Sequence, residues 1–120
     1  MKKDITLANE EVVKIDANLT ALTMFKLEKE GIISKSFLST LFNINSNGMQ
    51  NVDLLDAFRT VYAAYRQANP KEYMEFEAFM EVYEVNLEEA FEVFGAIMSN
   101  RSKNNMAKGF QAKADKGKKG

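Results

Sequence analysis

The sequence predicts a mainly α fold with a small N-terminal β-hairpin: a compact bundle of about five helices followed by a disordered basic tail. Three observations predict it. Large apolar residues recur at helical spacing in successive stretches between residues 19 and 98. Two short β-branched runs stand ahead of them. From Asn100 onward the apolar pattern stops and the charge changes sign. A chain of 120 residues has room for one domain. We therefore expect a helical domain with its hairpin over residues 1–99 and a Lys/Gly-rich tail over residues 100–120.

The hairpin is read from Ile5-Thr6-Leu7 and Val12-Val13-Lys14-Ile15, with the polar stretch Ala8 to Glu11 as its turn. Two strands alone are marginal in water, so the hairpin must lie on helices or on another chain. Asp16 or Asn18 is expected to cap a first helix that runs to about Glu30 and stops at Gly31. Its apolar residues Leu19, Leu22, Met24, Phe25 and Leu27 spread over more than one face, which implies contacts on two sides. A second helix starts at Ser34 or Ser36 and carries Phe37, Leu38, Leu41 and Phe42. Asn43 to Asn51 reads as a loop.

A third helix is capped near Asn51 or Asp53. Leu54, Leu55, Phe58, Val61, Tyr62 and Tyr65 fall on one of its faces. Asn69-Pro70 ends it, and the same pair is expected to open a fourth helix, since Asn caps well and Pro suits the first helical position. Tyr73, Phe76, Phe79, Met80 and Tyr83 mark the apolar side of that helix. Asn86 with Glu89 gives a capping-box-like start to a fifth, whose stripe is Leu87, Ala90, Phe91, Phe94, Ile97 and Met98.

Composition excludes several chemistries. With no Cys there are no disulfides, thiolate nucleophiles or thiolate metal sites. With no His the commonest metal ligand and the usual near-neutral acid–base group are absent. The six glycines are scattered and form no phosphate-cradling loop. No secretory signal follows Lys2 and Lys3, and no apolar run approaches the roughly 20 residues that span a bilayer. Neither catalysis nor a cofactor nor a metal is expected.

Asn43-Ile-Asn45-Ser-Asn47-Gly48 has the spacing of the opening of a calcium-binding loop, glycine included. Its oxygen ligands would be neutral amides, and Leu54 stands where a bidentate Glu should close the shell. It reads as an Asn/Gly turn. The acids Glu72, Glu75, Glu77, Glu81, Glu84, Glu88, Glu89 and Glu92 alternate with apolar residues at helical spacing, and so read as a solvated face. An acidic rim around exposed aromatics would also suit a basic amphipathic partner.

Residues 1–99 hold 9 Lys+Arg against 16 Asp+Glu, a net of −7, whereas residues 100–120 hold 7 against 1, a net of +6. The tail lysines Lys103, Lys108, Lys113, Lys116, Lys118 and Lys119 could attract phosphates. Only Phe110 offers a stacking platform among them and the body is acidic, so a solubilising or linker tail is the plainer reading. Nine Phe, four Tyr and seven Met are many for so short a chain. Exposure of part of this set would suit an apolar partner.

The order of parts resembles a family. A hairpin from Asp4-Ile-Thr-Leu to Val-Val-Lys-Ile15 leads to a helix ending Phe25-Lys-Leu-Glu-Lys-Glu30. Leu54-Leu-Asp-Ala-Phe58, Val61-Tyr-Ala-Ala-Tyr65 and Glu75-Phe-Glu-Ala-Phe-Met80 follow, then a helix from Asn86 and a Lys/Gly-rich end. This layout, over about residues 4–98, resembles the short tail assembly chaperones of siphophages and prophages of Gram-positive bacteria.

The resemblance implies a protein of the host cytoplasm that binds the tape measure protein before tail tube subunits polymerise around it. It also implies self-association and possible contact with the tail tube protein. A longer form made by ribosomal frameshifting near Lys116-Gly-Lys-Lys-Gly120 belongs to the same expectation. Neither membrane nor nucleic acid is an expected partner. The contact surface expected from the sequence is Tyr73, Phe76, Phe79, Met80 and Tyr83, covering apolar segments of the partner. Two alternatives stand beside this reading: a small nucleic-acid-associated regulator using the basic tail, and a structural tail-completion component of the virion.

Overall fold

The computed structural model describes residues 1–37 and 53–99. The expected loop Asn43–Asn51, most of the second helix and the tail from residue 100 lie outside the described residues.

β1 (Lys2–Thr6) and β2 (Val12–Asp16) pair antiparallel, with Ile5 opposite Val13 and Lys3 opposite Ile15. The hairpin alternates cleanly. Ile5, Leu7, Ile15 and Ala17 are buried, while Lys2, Asp4, Thr6, Val12 and Lys14 face out. That period-two pattern belongs to a ribbon with one face on a core. The expected turn is present: Leu7 N–H donates to the Glu11 carbonyl at 2.8 Å, and Glu11 N–H donates to Asn9 Oδ1 at 3.1 Å. Glu10 takes a positive φ of 68°, a left-handed conformation that a side chain adopts only at some cost. The hairpin is tied down at its far ends by Ala17 N–H on the Met1 carbonyl and Ala8 N–H on the Val82 carbonyl.

Five helical segments follow among the described residues. α1 is Ala21–Lys29. Its N-cap is Thr20, not Asp16 or Asn18. Asp16 closes β2 and spends Oδ1 on the Asn18 N–H at 2.9 Å, whereas Thr20 is held extended by Gln67 Oε1 and offers its hydroxyl to the Thr23 N–H. The helix stops at Gly31 as expected. Gly31 has φ +80°, its N–H meets the Glu28 carbonyl, and the Ile32 N–H reaches back to the Leu27 carbonyl at 2.9 Å. These paired bonds are the usual αL termination that glycine permits. Ser34 caps a helical turn, α2 (residues 35–37), by accepting from the Phe37 N–H at 3.0 Å.

α3 (Leu54–Ala68) is the centre of the molecule, capped by Asp53 Oδ1 on the Leu55 N–H at 2.8 Å. Its first turn is exposed at Leu54 and Leu55, but every residue from Thr60 to Arg66 is buried. β2, α1 and α4 (Phe76–Val82) all pack on it. Ala63 and Ala64 make this possible, because small side chains let neighbours approach on a second side.

The expected fourth helix opens later than Asn69-Pro70. Asn69 spends its amide on the Lys14 and Tyr65 carbonyls at 2.9 and 2.8 Å, bracing β2 against the end of α3. The chain then crosses without regular structure to Glu75, which precedes α4 and gives no side-chain cap. In this crossing, Met74 N–H donates to the Tyr65 hydroxyl at 2.7 Å and the Tyr62 hydroxyl donates to the Met74 carbonyl at 2.8 Å.

α5 (residues 87–99) starts on Asn86, whose Oδ1 accepts from the Glu89 N–H at 3.0 Å. The other half of the capping box is not made: the Glu89 carboxylate accepts from the Tyr83 hydroxyl at 2.9 Å instead. Ala90, Val93, Phe94 and Ile97 of α5 enter the same core as α3, and Phe94 meets Phe37 of α2. The acidic run is a solvated face as expected, apart from Glu89 and an exposed ion pair between Glu92 and Lys3 at 3.1 Å. Among the described residues no helix is long and apolar enough to cross a membrane.

Candidate binding surface

Arg66 organises one of the clefts on the surface. It sits one helical turn after Tyr62 on α3, on the face that α1 and the 70–75 crossing cover, and only 6 % of it is exposed. A buried guanidinium must be paired. Nη1 and Nη2 reach the two Glu30 carboxylate oxygens at 2.8 and 2.9 Å, a fork-to-fork pair at the end of α1. Nη1 also donates to the Tyr62 hydroxyl at 3.2 Å, and the Tyr73 ring lies over the guanidinium with its centroid 3.6 Å from Cζ.

The pairing sets the charges. Hydrogen bonds from Arg66 hold the Glu30 carboxyl below its ordinary value, against the opposing effect of burial. The same bonds to Glu30 raise Arg66 further, so it is permanently charged. Burial pushes the Tyr62 phenol up, and it stays neutral.

Around this pair lies a cleft of about 690 Å³. One wall is the end of α1, at Glu30, Gly31 and Ile32. The floor is Arg59, Tyr62 and Arg66 of α3. The other wall is Tyr73, Glu75, Phe76 and Glu77. Arg59 pairs with Asp56 on its own helix. The floor cations are thus both neutralised from within, whereas Glu75 and Glu77 are exposed and make no ion pair among the described residues. The aromatic edges of Tyr73 and Phe76 and the aliphatic Ile32 supply apolar contact. Such a cleft can hold a side chain by stacking and charge. Its polar floor groups are occupied with one another.

The structure separates the five residues expected to form the contact surface. Tyr73 is 42 % exposed and Phe76 half-buried, and both line the cleft. Met80 is half-buried against the core. Phe79 and Tyr83 are not surface residues at all, at 0 and 7 % exposure. They form the inner face of α4. Phe79 packs on Tyr62 and Tyr65 with ring centroids 5.4 and 4.7 Å apart, and Tyr83 stacks on Phe79 at 5.7 Å and meets the edge of Phe58. The Tyr83 hydroxyl is pushed up by burial and by its bond to Glu89.

No family model, curated protein or solved structure matches the chain.

A second surface was not singled out in the sequence. Leu22 and Phe25 of α1 are 63 and 74 % exposed, on the side opposite buried Met24 and Leu27. Lys26 and Lys29 share that outer face at helical spacing and are also exposed. Contacts on both sides of α1 were expected from its two-sided apolar pattern, but one side is open. Among the described residues the methionines do not contribute: Met1, Met24, Met74, Met80 and Met98 are all at least half-buried. Arg66 was also missed. Its signal was a lone cation on the apolar stripe of a helix, four residues after Tyr62. Among the described residues no group of three or more acidic side chains is arranged to hold a metal ion.

Proposed function

We propose that this chain is a short tail assembly chaperone of a long-tailed bacteriophage, acting by binding and without catalysis. The observation that carries a binding role is the open face of α1. Phe25 and Leu22 stand in water on a helix whose other side is fully committed to the core. Two large apolar side chains one turn apart on an open helix face form an apolar patch that a partner can cover. The absence of His and Cys argues in the same direction, because it removes the usual acid–base and nucleophilic groups. The order of hairpin and helices supports the family assignment.

The mechanism is holdase binding. Apolar segments of the tape measure protein cover Leu22, Phe25 and the aromatic wall of the cleft, gaining roughly 25 cal/mol per Å² of apolar surface removed from water before association costs. The chaperone holds those segments apart until tail tube subunits replace it. Self-association of the chaperone belongs to the same proposal.

Co-expression with the tape measure protein of the same phage tests this. The soluble yield of the tape measure protein should rise sharply with the wild-type chain. It should fall back with Leu22→Ser/Phe25→Ser, a variant that changes only exposed positions. No gain in soluble tape measure protein with the wild-type chain refutes the assignment.

A further inference from the structure

We infer that the cleft between the end of α1, α3 and the 70–75 crossing takes a Lys or Arg side chain from a helix of a different protein, with an adjacent apolar residue on Ile32 and Phe76. This rests on the binding role proposed above and adds the chemistry of its partner. The argument is charge complementarity around an aromatic wall. Four carboxylates stand in or beside the cleft, Glu30, Asp56, Glu75 and Glu77, against two guanidiniums, Arg59 and Arg66. Glu30 and Asp56 are consumed by those two cations, which leaves Glu75 and Glu77 in the lining without an ion pair among the described residues.

Tyr73 lines the cleft with them. It already carries one cation against its ring and is still 42 % exposed. A partner cation set against Tyr73 would meet Glu75 and Glu77 within the same opening. A partner carboxylate there would meet the same two charges with opposite sign. The volume of about 690 Å³ admits one long side chain and its neighbour but no folded domain.

The test uses the full chain and three dye-labelled helical peptides. They share a Leu/Phe stripe and differ at one flanking pair of positions: Arg, Gln or Glu. Fluorescence anisotropy at low salt should rank them Arg, Gln, Glu, with the order compressed at high salt. Tyr73→Leu and Glu75→Gln/Glu77→Gln, all at exposed positions, should each weaken the Arg peptide by roughly threefold to thirtyfold and leave the Gln peptide nearly unchanged. Equal binding of the three peptides, or no effect of both variants in chains whose circular dichroism is unaltered, overturns the inference.

Two other occupants are also exposed by the test. If removal of residues 100–120 tightens the Arg peptide tenfold or more, the chain's own lysines fill the cleft and the inference falls. It falls too if Glu75→Gln/Glu77→Gln abolishes a concentration-dependent dimer that Lys26→Gln/Lys29→Gln also abolishes, since the occupant is then α1 of a second copy. Should the cleft variants still keep the tape measure protein soluble as well as wild type, this inference fails while the chaperone reading stands. Charge ranking by a chain that never protects the tape measure protein gives the converse.

Discussion

Replacing Glu30 with Gln removes the charge that Arg66 answers, and its effect on stability can be worked from the geometry. Loss of one partner from a fully buried ion pair costs about 3–5 kcal/mol, whereas an exposed pair is worth about 0–1. This pair lies between: the Arg66 side chain is 5 % exposed and the Glu30 side chain 41 %. The guanidinium also keeps the Tyr62 hydroxyl and the Tyr73 ring after the change. A loss of about 1–2 kcal/mol follows, or about 4–8 °C in melting temperature for each kcal/mol in a domain of this size.

The loss should depend on pH in a definite direction. The folded state holds the Glu30 carboxyl below its ordinary value of 4.5, so the stabilisation is complete above that value and disappears as pH falls through the folded one. Urea midpoints followed by circular dichroism, stepped down from neutral pH while both proteins remain folded, give the assay. Wild type and variant should differ at neutral pH and converge below about pH 4.5. No difference at neutral pH, or a constant gap down to the most acidic condition, refutes the assignment of Arg66 and Glu30 as a working pair.

Other substitutions separate core from surface and caps from strands. Phe79→Ala should cost about 3–5 kcal/mol by chemical denaturation, because a fully buried ring against three tyrosines is lost. Phe25→Ala should stay within about 0.5 kcal/mol of wild type in the same experiment. Asn86→Ala should lower stability by about 1 kcal/mol through loss of the α5 cap, with Asn86→Ser largely restoring it. Above about pH 10 the buried phenols Tyr62 and Tyr83 oppose ionisation in the folded state but not in the unfolded one, so stability should fall as pH rises. Tyr83→Phe should flatten that alkaline slope, seen as urea midpoints that change less between neutral and alkaline pH.

Much of the fold was legible because local signals agreed with the packing. The hairpin runs, Gly31, Ser34, Asp53 and Asn86 each act where elementary capping and turn rules place them. Misplacements came from residues whose side chains had a better offer at long range. Thr20 caps α1 because Gln67 of α3 holds it in place, and Asn69 serves β2 and α3 instead of opening α4. Neither partner is adjacent in sequence. The contact surface was half legible for a related reason. Periodicity put Tyr73, Phe76, Phe79, Met80 and Tyr83 on one side of a helix; Tyr73 falls ahead of α4 and Tyr83 at its C-cap, and periodicity could not tell an apolar side facing α3 from one facing a partner. Central α3 was under-read as one-faced, since Ala63, Ala64 and Thr60 are too small to register as a stripe and yet lie fully inside.

The paired bonds on Met74 have an evolutionary consequence. One residue of an irregular crossing is gripped through both its amide and its carbonyl by two phenols one turn apart on α3. The spacing between Pro70 and Met74 is thereby fixed as firmly as a ladder would fix it, although no ladder exists. Lys71 and Glu72 are free to drift in identity, being exposed, but not in number. An inserted or deleted residue there would carry Tyr73 off Arg66 and uncover a charge in the interior. Homologues of this chain should therefore vary in composition across that bridge while keeping its length.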